Sequence, residues 1–362
     1  MKNCIQKATI GAVAIAALVL FDASRAAAGI VVDPNTPPCV PTFSAHYTTI
    51  QAAVNAAASG ATIQVCPGTY AEQVTIATAL TLKGVNNTAG NTGAAVVTIP
   101  TGTFSGAFTQ INIEAAGVTL LNIGVDGTNT LTSCDFGPSL TGILFAAGSS
   151  GTLKEVALRN HYISNGSGGY CGSGIPVTAS SATSVTVTDS SVRNFDGEGF
   201  YLTATSTVTV KTTTVAPINP GANCVYANAP TVEVSNNSVA DCGVGVYVTS
   251  TVQGTVSGNT IQGGASGESG VFCFPVCTGL TVSGNAIFDT GTGFGMKTSG
   301  EVGGVVFENN DVSGASNGVY LFLQPGNTIS NNTFTDVQVG VNGASGNTIS
   351  GNTYRTVTTL TQ

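Results

Sequence analysis

The chain contains no tryptophan and only two histidines, and charged residues make up 8% of its 362 residues. That charged fraction is about a third of the globular average, so helices with an ordinary charged surface are not expected. The net charge of −8 argues against nucleic acid as a partner, because few cations are present to displace phosphate counterions. The abundant Gly, Thr, Val, Ser and Asn instead favour short strands and turns.

The first residues are typical of an export signal. Lys2 and Lys7 precede an apolar run over residues 8–21, and small residues follow as far as residue 28. The run is shorter than the roughly 20 residues that span a bilayer, so a membrane anchor is the weaker alternative. We predict a signal peptide over 1–28, a leader over 29–45 and one domain over 46–362. The mature protein is then secreted, periplasmic or on the cell surface, without a membrane anchor, and we expect a monomer.

Eight of the nine cysteines follow the signal, and an even number in an exported chain predicts disulfide bonds. Spacing favours Cys273 with Cys277 and Cys39 with Cys66, and it puts Cys224 and Cys242 about one repeat apart. A zinc site is the alternative, but the chain has only His46 and His161 beside its cysteines and no CxxC pair. No metal or other cofactor is therefore predicted.

One helix and several short strands are predicted over residues 46–85. Ile50, Ala53, Val54 and Ala57 lie on one helical face and Gly60 is a natural stop, while ATIQV, QVTI and LTLKGV alternate like strands. The segment HYTTIQAAVNAAASGATIQVCPGTYAEQVTI resembles the opening of right-handed parallel β-helix proteins of the pectin-lyase-like superfamily. That resemblance implies an N-terminal helix that caps a stack of strands.

A repeat of 20–26 residues covers most of the remaining chain. One column holds a bend residue two positions before an apolar one: His161, Ser190, Thr213, Asn237, Asn259, Asn285, Asn310, Asn332 and Asn352. Such a period is typical of a solenoid whose coils contain short strands. Asparagines at the bend can form a ladder of side-chain amides, although simple turn preference is the alternative explanation.

The predicted fold is therefore all-β: a right-handed parallel β-helix of about a dozen coils with an N-terminal capping helix. An antiparallel sandwich is the competing fold, but it does not predict two residue columns that advance in phase. The resemblance does not extend to catalysis, because the signatures of pectin methylesterases, polygalacturonases and pectate lyases are missing from the sequence.

The scarce charges concentrate between residues 154 and 198. With an offset of one coil, six of them can meet on one face as candidate catalytic residues: Arg159, His161, Asp189, Arg193, Asp196 and Glu198. Carboxylates with a guanidinium can act as general acid and base with a charge stabiliser. The alternative is a solvated group of salt bridges, and His161 alone is better explained as a hydrogen-bonded bend residue.

Aromatic residues recur at one strand position. The row reads Pro176, Tyr201, Tyr226, Tyr247, Phe272, Gly295, Tyr320 and Asn342. If the neighbouring valines point inward, alternation turns these rings outward in a row with a spacing of about 4.8 Å. Tyr201, Tyr226, Tyr247, Phe272 and Tyr320 are the predicted substrate-binding residues for a polysaccharide, or they only stabilise the sheet by stacking. A carbohydrate-binding or structural module is the preferred function, and a polysaccharide lyase, hydrolase or esterase acting on acidic glycans is the alternative.

Overall fold

The computed structural model describes residues 29–34, 39–40, 45–85, 95–100, 106–135, 137–264, 268–300, 303–322, 324–343 and 345–362. The predicted signal peptide lies outside the described residues. Within them the chain forms one helix, α1 (Ile50–Ala56), and 36 strands. The strands form three columns, and each coil contributes one strand to column 1, then to column 2, then to column 3.

Column 1 contains β1 (Ile30–Val32), β2 (Ala45–Tyr47), β3 (Ala61–Val65), β6 (Leu80–Gly84), β9 (Val118–Leu121), β12 (Ser150–Lys154), the second halves of β14 (Gly174–Thr188) and β16 (Glu198–Lys211), β19 (Thr231–Ser235), β22 (Gln253–Ser257), β25 (Leu280–Ser283), β28 (Val306–Glu308), β31 (Thr328–Ser330) and β34 (Thr348–Ser350). Column 2 contains β4 (Gly68–Ala71), β7 (Ala95–Thr98), β10 (Gly124–Asp126), β13 (Ala157–His161), β15 (Ser191–Phe195), β17 (Thr214–Ala216), β20 (Ser238–Cys242), β23 (Thr260–Gly263), β26 (Ala286–Phe288), β29 (Asp311–Ser313), β32 (Thr333–Thr335) and β35 (Thr353–Arg355). Column 3 contains β5 (Val74–Ile76), β8 (Ala107–Ile113), β11 (Ser139–Phe145), the first halves of β14 and β16, β18 (Asn223–Asn228), β21 (Val244–Thr249), β24 (Ser269–Cys273), β27 (Phe294–Ser299), β30 (Asn317–Phe322), β33 (Val339–Asn342) and β36 (Thr359–Thr361).

Strands of successive coils pair in parallel in all three columns. Column 2 is a 12-stranded sheet of its own, while the long strands β14 and β16 join columns 3 and 1 into one sheet of 24 strands. Residues alternate between an apolar interior and the solvent along many strands, as the burial pattern BeBiB of β3 illustrates, while β1 and β10 are buried throughout. The predicted right-handed parallel β-helix is thus confirmed.

The helix α1 closes the N-terminal end of the coils. Ile50, Ala53 and Val54 are buried against the first strands. Thr49 caps the helix, since its side chain accepts a hydrogen bond from the Ala52 amide. The Glu72 carboxylate accepts from the Ile50 and Gln51 amides at 2.8 and 2.9 Å, so the first coil holds the free N–H groups of the helix.

Asparagine side chains form a continuous hydrogen-bonded ladder at the bend from column 1 to column 2. At the centre of the ladder, Nδ2 of Asn285 donates to Asn310 Oδ1 at 2.8 Å and to the Val256 carbonyl at 2.9 Å. The backbone amide of Asn285 donates to the same Asn310 oxygen. The same contacts recur at the buried rungs, which confirms the predicted ladder from Asn237 to Asn352.

The residue before each rung adopts a left-handed conformation. Its φ lies between 48° and 66° at Asp189, Thr212, Asn236, Gly258, Gly284, Asn309, Asn331 and Gly351. Glycine and asparagine tolerate this region better than other residues, which explains the recurring Asn-Asn and Gly-Asn pairs. The bend therefore depends on two adjacent residues, one for the turn and one for the ladder.

The prediction that His161 occupies the bend column is wrong. In that coil the bend residue is Val156, whose amide donates to Ser190 Oγ at 3.1 Å. His161 instead pairs with Phe195 at the end of column 2 and is fully buried inside the coil. Its Nε2 lies 2.8 Å from Gln110 Oε1, and its Nδ1 is buried without a hydrogen bond to any described residue. Burial lowers the pKa of His161 to about 3, so the ring is neutral at pH 7.

Glycines at the second position of many column 3 strands leave room for inward side chains from column 2. A Cβ on Gly245, the second residue of β21, would lie 2.5 Å from the Ile261 side chain. In the middle of β11, a Cβ on Gly142 would likewise lie 2.5 Å from His161 Nε2. Real Cβ atoms do not approach so closely. Position 245 of the GVGVYV segment therefore requires a glycine before the inward Val246.

Four disulfide bonds join the cysteines that follow the predicted signal. The expected pairs Cys39–Cys66, Cys224–Cys242 and Cys273–Cys277 are confirmed. The fourth joins Cys134 to Cys171 and connects two loops that both enter column 3.

Removal of one central rung should destabilise the coil stack. Asn285→Ala leaves the Val256 carbonyl, Asn310 Oδ1 and the two Asn259 donors with fewer partners, and a loss of about 3–5 kcal/mol is expected. The measurement is urea denaturation followed by far-ultraviolet circular dichroism. Asn352→Ala at the last, half-buried rung is the control: it removes the acceptor of the two Asn332 donors and the bond to the Ile329 carbonyl but breaks no bond to a rung beyond it, so a smaller loss of about 1–3 kcal/mol is expected. Equal losses at both positions would contradict the ladder's role.

Acid should destabilise the protein in part through His161. Its folded pKa of about 3 lies below the ordinary value of 6.5. The stability from the neutral ring is thus complete above pH ~6.5 and is lost as the pH falls toward ~3. His161→Gln retains a group that can bond Gln110 and should remove a slope of up to ~1.4 kcal/mol per pH unit. Unfolding free energies across that range test this, and identical slopes in parent and variant would refute it.

Candidate functional site

Four aromatic rings lie in direct contact along the outer surface of column 3. Tyr201, Tyr226, Tyr247 and Phe272 occupy the same strand position in successive coils. The ring centroids of Tyr201 and Tyr226 are 4.7 Å apart and stacked, those of Tyr226 and Tyr247 are 5.3 Å apart and edge-on, and those of Tyr247 and Phe272 are 4.8 Å apart and stacked. We refer to these four residues, with Lys297 and Tyr320 beyond them, as the aromatic row.

The aromatic row faces outward because its neighbours face inward. Val225, Val246, Val271 and Val319 are all fully buried. The four rings of the row remain partly exposed. The orientation expected from strand alternation is therefore confirmed.

The row differs from the sequence expectation in two coils. Thr178, not Pro176, pairs with Tyr201, and Lys297, not Gly295, pairs with Phe272 and Tyr320. Gly245, Gly270 and Gly295 occupy equivalent strand positions. Counting two residues on from Gly295, as from Gly245 to Tyr247, places Lys297 in the row. Lys297 was therefore missed although the glycine pattern marks its position.

Lys297 places one cation within the aromatic surface. Its Nζ lies 4.6 Å from the centroid of Phe272 and 5.0 Å from that of Phe294, within the range of cation–π attraction. Phe294 in turn contacts Tyr320, with centroids 4.7 Å apart. The surface is widened by Phe274 and Phe322, which are 41% and 48% exposed. Among the described residues, Val252 and Leu360 are the other exposed large apolar side chains, so Phe274 and Phe322 concentrate exposed apolar area beside the row.

The hydroxyls of Tyr201 and Tyr247 remain protonated at neutral pH. Burial raises the pKa of Tyr201, with further increases from Tyr226 and Glu198, and burial and Tyr226 raise that of Tyr247. These two residues therefore present neutral rings with hydroxyl groups that can donate and accept hydrogen bonds.

The charged residues predicted as one cluster lie on separate surfaces. Arg159 and Arg193 pair in column 2, away from the aromatic row. Arg159 Nε donates to Asp126 Oδ2 at 2.7 Å, and Arg193 is exposed. Burial alone would raise the pKa of Asp126, but hydrogen bonds from Thr128, Arg159 and Asn160 hold it below its usual value. This group is a salt bridge with supporting hydrogen bonds.

Asp196 organises a loop. Its carboxylate is 1% exposed and accepts hydrogen bonds from the Ile163, Gly172 and Gly174 amides at 3.1, 3.1 and 2.6 Å. These three donors fix the segment between column 2 and column 3 that contains Cys171. Asp189 is exposed at the bend between columns 1 and 2, where its Oδ1 accepts from the Thr212 hydroxyl. Neither carboxylate faces the aromatic row.

Glu198 is the predicted catalytic residue that lies in column 3 near the aromatic row, close enough to raise the pKa of the Tyr201 hydroxyl. It begins the column 3 half of β16, three residues before Tyr201, and pairs with Asn223. Burial raises the pKa of Glu198, partly offset by a hydrogen bond from Asn223. A carboxyl group with a raised pKa beside an apolar surface can serve as a proton donor.

Two further observations on the described residues concern metal binding and membrane spans. Among them, Asp33, Cys39 and Cys66 have ligand atoms within 4.8 Å of one another, but the two cysteines are joined in a disulfide. None of the helices within the described part of the chain is long and apolar enough to cross a membrane.

The solved structures that resemble this chain share its solenoid. It superposes on the tailspike of E. coli bacteriophage HK620 in complex with a pentasaccharide with a TM-score of 0.63 and 13% identity, covering 89% of this chain and 64% of the tailspike. The A-module of the Azotobacter vinelandii mannuronan C-5 epimerase AlgE4 gives 0.57 and 18%, covering 86% and 92%. A double mutant of the periplasmic alginate epimerase AlgG gives 0.52 and 14%, covering 80% and 65%.

At these identities the structures show a shared fold only, and this chain spans less than two thirds of the tailspike and of AlgG. No curated protein sequence matches the chain significantly. The family described as the right handed beta helix region matches residues 93–261 and 218–354, which is more than half of the chain. The chain belongs to this right-handed β-helix family and has the pectin-lyase-like fold.

Proposed function

We propose that this protein binds a polysaccharide on the aromatic row and acts outside the cytoplasm as a monomer. The observation that carries the proposal is the set of three consecutive ring contacts from Tyr201 to Phe272 on an outward-facing sheet. The four disulfide bonds support an oxidising location, in agreement with the export signal predicted over residues 1–28.

The dimensions of the row suit an extended glycan. Five strand pairings separate Tyr201 from Tyr320, and at ~4.8 Å per coil the row is about 24 Å long. The rings offer apolar faces to the C–H faces of sugars, while the tyrosine hydroxyls and the Lys297 ammonium supply polar contacts. The coil repeat holds these groups without a flexible loop, so little conformational entropy is lost on binding.

The related structures give independent support for a glycan as the partner. Their printed descriptions name a pentasaccharide bound to a tailspike and epimerases of alginate and mannuronan, all with the same solenoid fold. A purely structural role for the rings predicts stacking without ligand binding, with roughly 0.5–1.5 kcal/mol of stability per ring pair. Binding and stability measurements on the same variants separate the two roles.

A second candidate function is hydrolysis or elimination of an acidic glycan bound on the row. Glu198 favours it, because burial raises the pKa of this carboxyl group and the group lies close enough to Tyr201 to raise the pKa of that hydroxyl. Arg159, His161, Asp189, Arg193 and Asp196 lie elsewhere or are buried, so in this proposal Glu198 acts without them.

Removal of two rings should weaken glycan binding. Tyr226→Ala combined with Tyr247→Ala removes the centre of the row, and a loss of about 1–3 kcal/mol, or roughly 5- to 160-fold in affinity, is expected. Affinity electrophoresis in gels containing the glycans that retard the parent protein measures this change.

The matched control is Phe288→Ala, an aromatic residue on the outer face of column 2. It should leave retardation unchanged. If the double variant migrates like the parent in every gel, the row is not the binding surface.

Glu198→Gln should separate catalysis from binding. The amide of this variant cannot transfer a proton, so turnover of an acidic glycan should fall by about 10²–10⁴-fold. Gel retardation by the glycan should persist. Release of reducing or unsaturated sugar ends measures the rate, and Asp189→Asn at a distant bend is the control. Turnover equal to that of the parent would rule out Glu198 as the proton donor.

A further inference from the structure

Lys297 is a cation without an acidic partner among the described residues. Acidic residues outnumber basic ones by 18 to 10 in this chain. Lys211 shows how such a chain can neutralise a basic side chain, since its Nζ lies 2.7 Å from Glu233 Oε1. Within the described part of the chain, Lys297 forms no salt bridge of this kind. Its positive charge is therefore not neutralised by a described side chain.

Aromatic rings fix the position of the Lys297 ammonium without neutralising it. Its Nζ lies 4.6 Å from the centroid of Phe272 and 5.0 Å from that of Phe294, and Phe294 is itself held against Tyr320 with centroids 4.7 Å apart. The rings attract the cation through their quadrupoles but carry no net charge. They also replace part of the water around the ammonium, which strengthens its attraction for an anion. Its N–H groups can donate to an oxyanion.

The acidic side chains nearest to the row do not pair with this cation. Glu198 lies beside Tyr201, which is four coil spacings or about 19 Å from Lys297. Glu268, in the preceding coil, accepts the Phe294 amide through its backbone carbonyl at 2.9 Å and forms no salt bridge with a described residue. The net charge of −8 repels a polyanion at long range, so its binding to the row depends on a local cation.

The strands on either side of Lys297 add exposed apolar area. In the preceding coil, Phe274 lies against Phe272 with centroids 6.1 Å apart and is 41% exposed. In the following coil, Phe322 lies 6.3 Å from Tyr320 and is 48% exposed. Rings thus flank the ammonium on both sides. This arrangement favours an anion attached to a sugar ring over a small inorganic anion, because the C–H faces of the sugar can be buried against the aromatic side chains.

We propose that Lys297 is a specificity-determining residue of the aromatic row and selects glycans that carry a carboxylate or a sulfate group. The ammonium donates hydrogen bonds to the acidic group, while the sugar ring that carries this group lies against the flanking aromatic side chains. The inference rests on the proposed function, because it concerns the same surface. It adds the substrate class: a neutral polysaccharide leaves the ammonium without an anion and therefore binds more weakly.

The test is affinity electrophoresis of the folded protein in gels that contain matched pairs of polymers. Polygalacturonate is compared with its full methyl ester, alginate with its propylene glycol ester, and dextran sulfate with dextran. At least one acidic polymer should retard the parent protein with a dissociation constant about tenfold or more below that of its neutral counterpart. Retardation by the two polyuronates alone identifies a carboxylate as the recognised group, and retardation by dextran sulfate alone identifies a sulfate.

Three variants test the role of Lys297 itself. Lys297→Gln removes the charge and should weaken binding of the responding acidic polymer by about tenfold, to the level of its neutral counterpart. Lys297→Arg keeps a cation over the rings and should bind within about threefold of the parent. Lys83→Gln makes the same change in net charge at an exposed position of column 1, so it is the matched control and should bind like the parent. Circular dichroism checks that each variant is folded.

Several outcomes would overturn the inference: equal binding of every acidic polymer and its neutral counterpart, unchanged binding in Lys297→Gln, or an equal loss in Lys83→Gln. These outcomes leave the proposed function in place if glycans still retard the parent protein and the Tyr226→Ala, Tyr247→Ala variant loses that retardation. If no glycan retards the parent protein, the proposed function and the inference are both wrong.

Discussion

The asparagine ladder fixes the register on which the rest of the structure depends. Each buried rung is both donor and acceptor for its neighbours, and the preceding left-handed residue sets the direction of the bend. A slip of one residue would bury an amide without a partner and turn every strand of the coil inside out. Because each coil can pair in only one way, side chains many residues apart in sequence recur at one position on the surface.

The aromatic row is a consequence of that register. Tyr201, Tyr226, Tyr247 and Phe272 are 21 to 25 residues apart in sequence, yet their rings touch because column 3 advances one strand per coil. A surface built from a rigid repeat suits a ligand that is itself a repeating chain, since one geometry serves several contacts. Glu198 near one end and Lys297 toward the other make the two ends of this surface chemically different.

The sequence predicted the repeat well and the isolated functional groups poorly. Local patterns sufficed for α1, the Asn237–Asn352 ladder and three disulfide pairs, because each depends on near-neighbour spacing or one recurring residue. Periodicity was less informative where loops lengthen two coils around Cys134 and Cys171, so His161 was assigned to the bend although it lies inside the coil. The role of Asp196 depends on three loop amides that it brings together, which no sequence pattern records.

The most direct test of the central claim is a crystal structure of the protein with an oligosaccharide of a glycan that retards it in affinity electrophoresis. The account predicts electron density for sugar rings stacked on Tyr226, Tyr247 and Phe272, with the chain running along column 3 toward Tyr320. Density for the oligosaccharide on the outer face of column 1 or column 2, with the aromatic row empty, would contradict it.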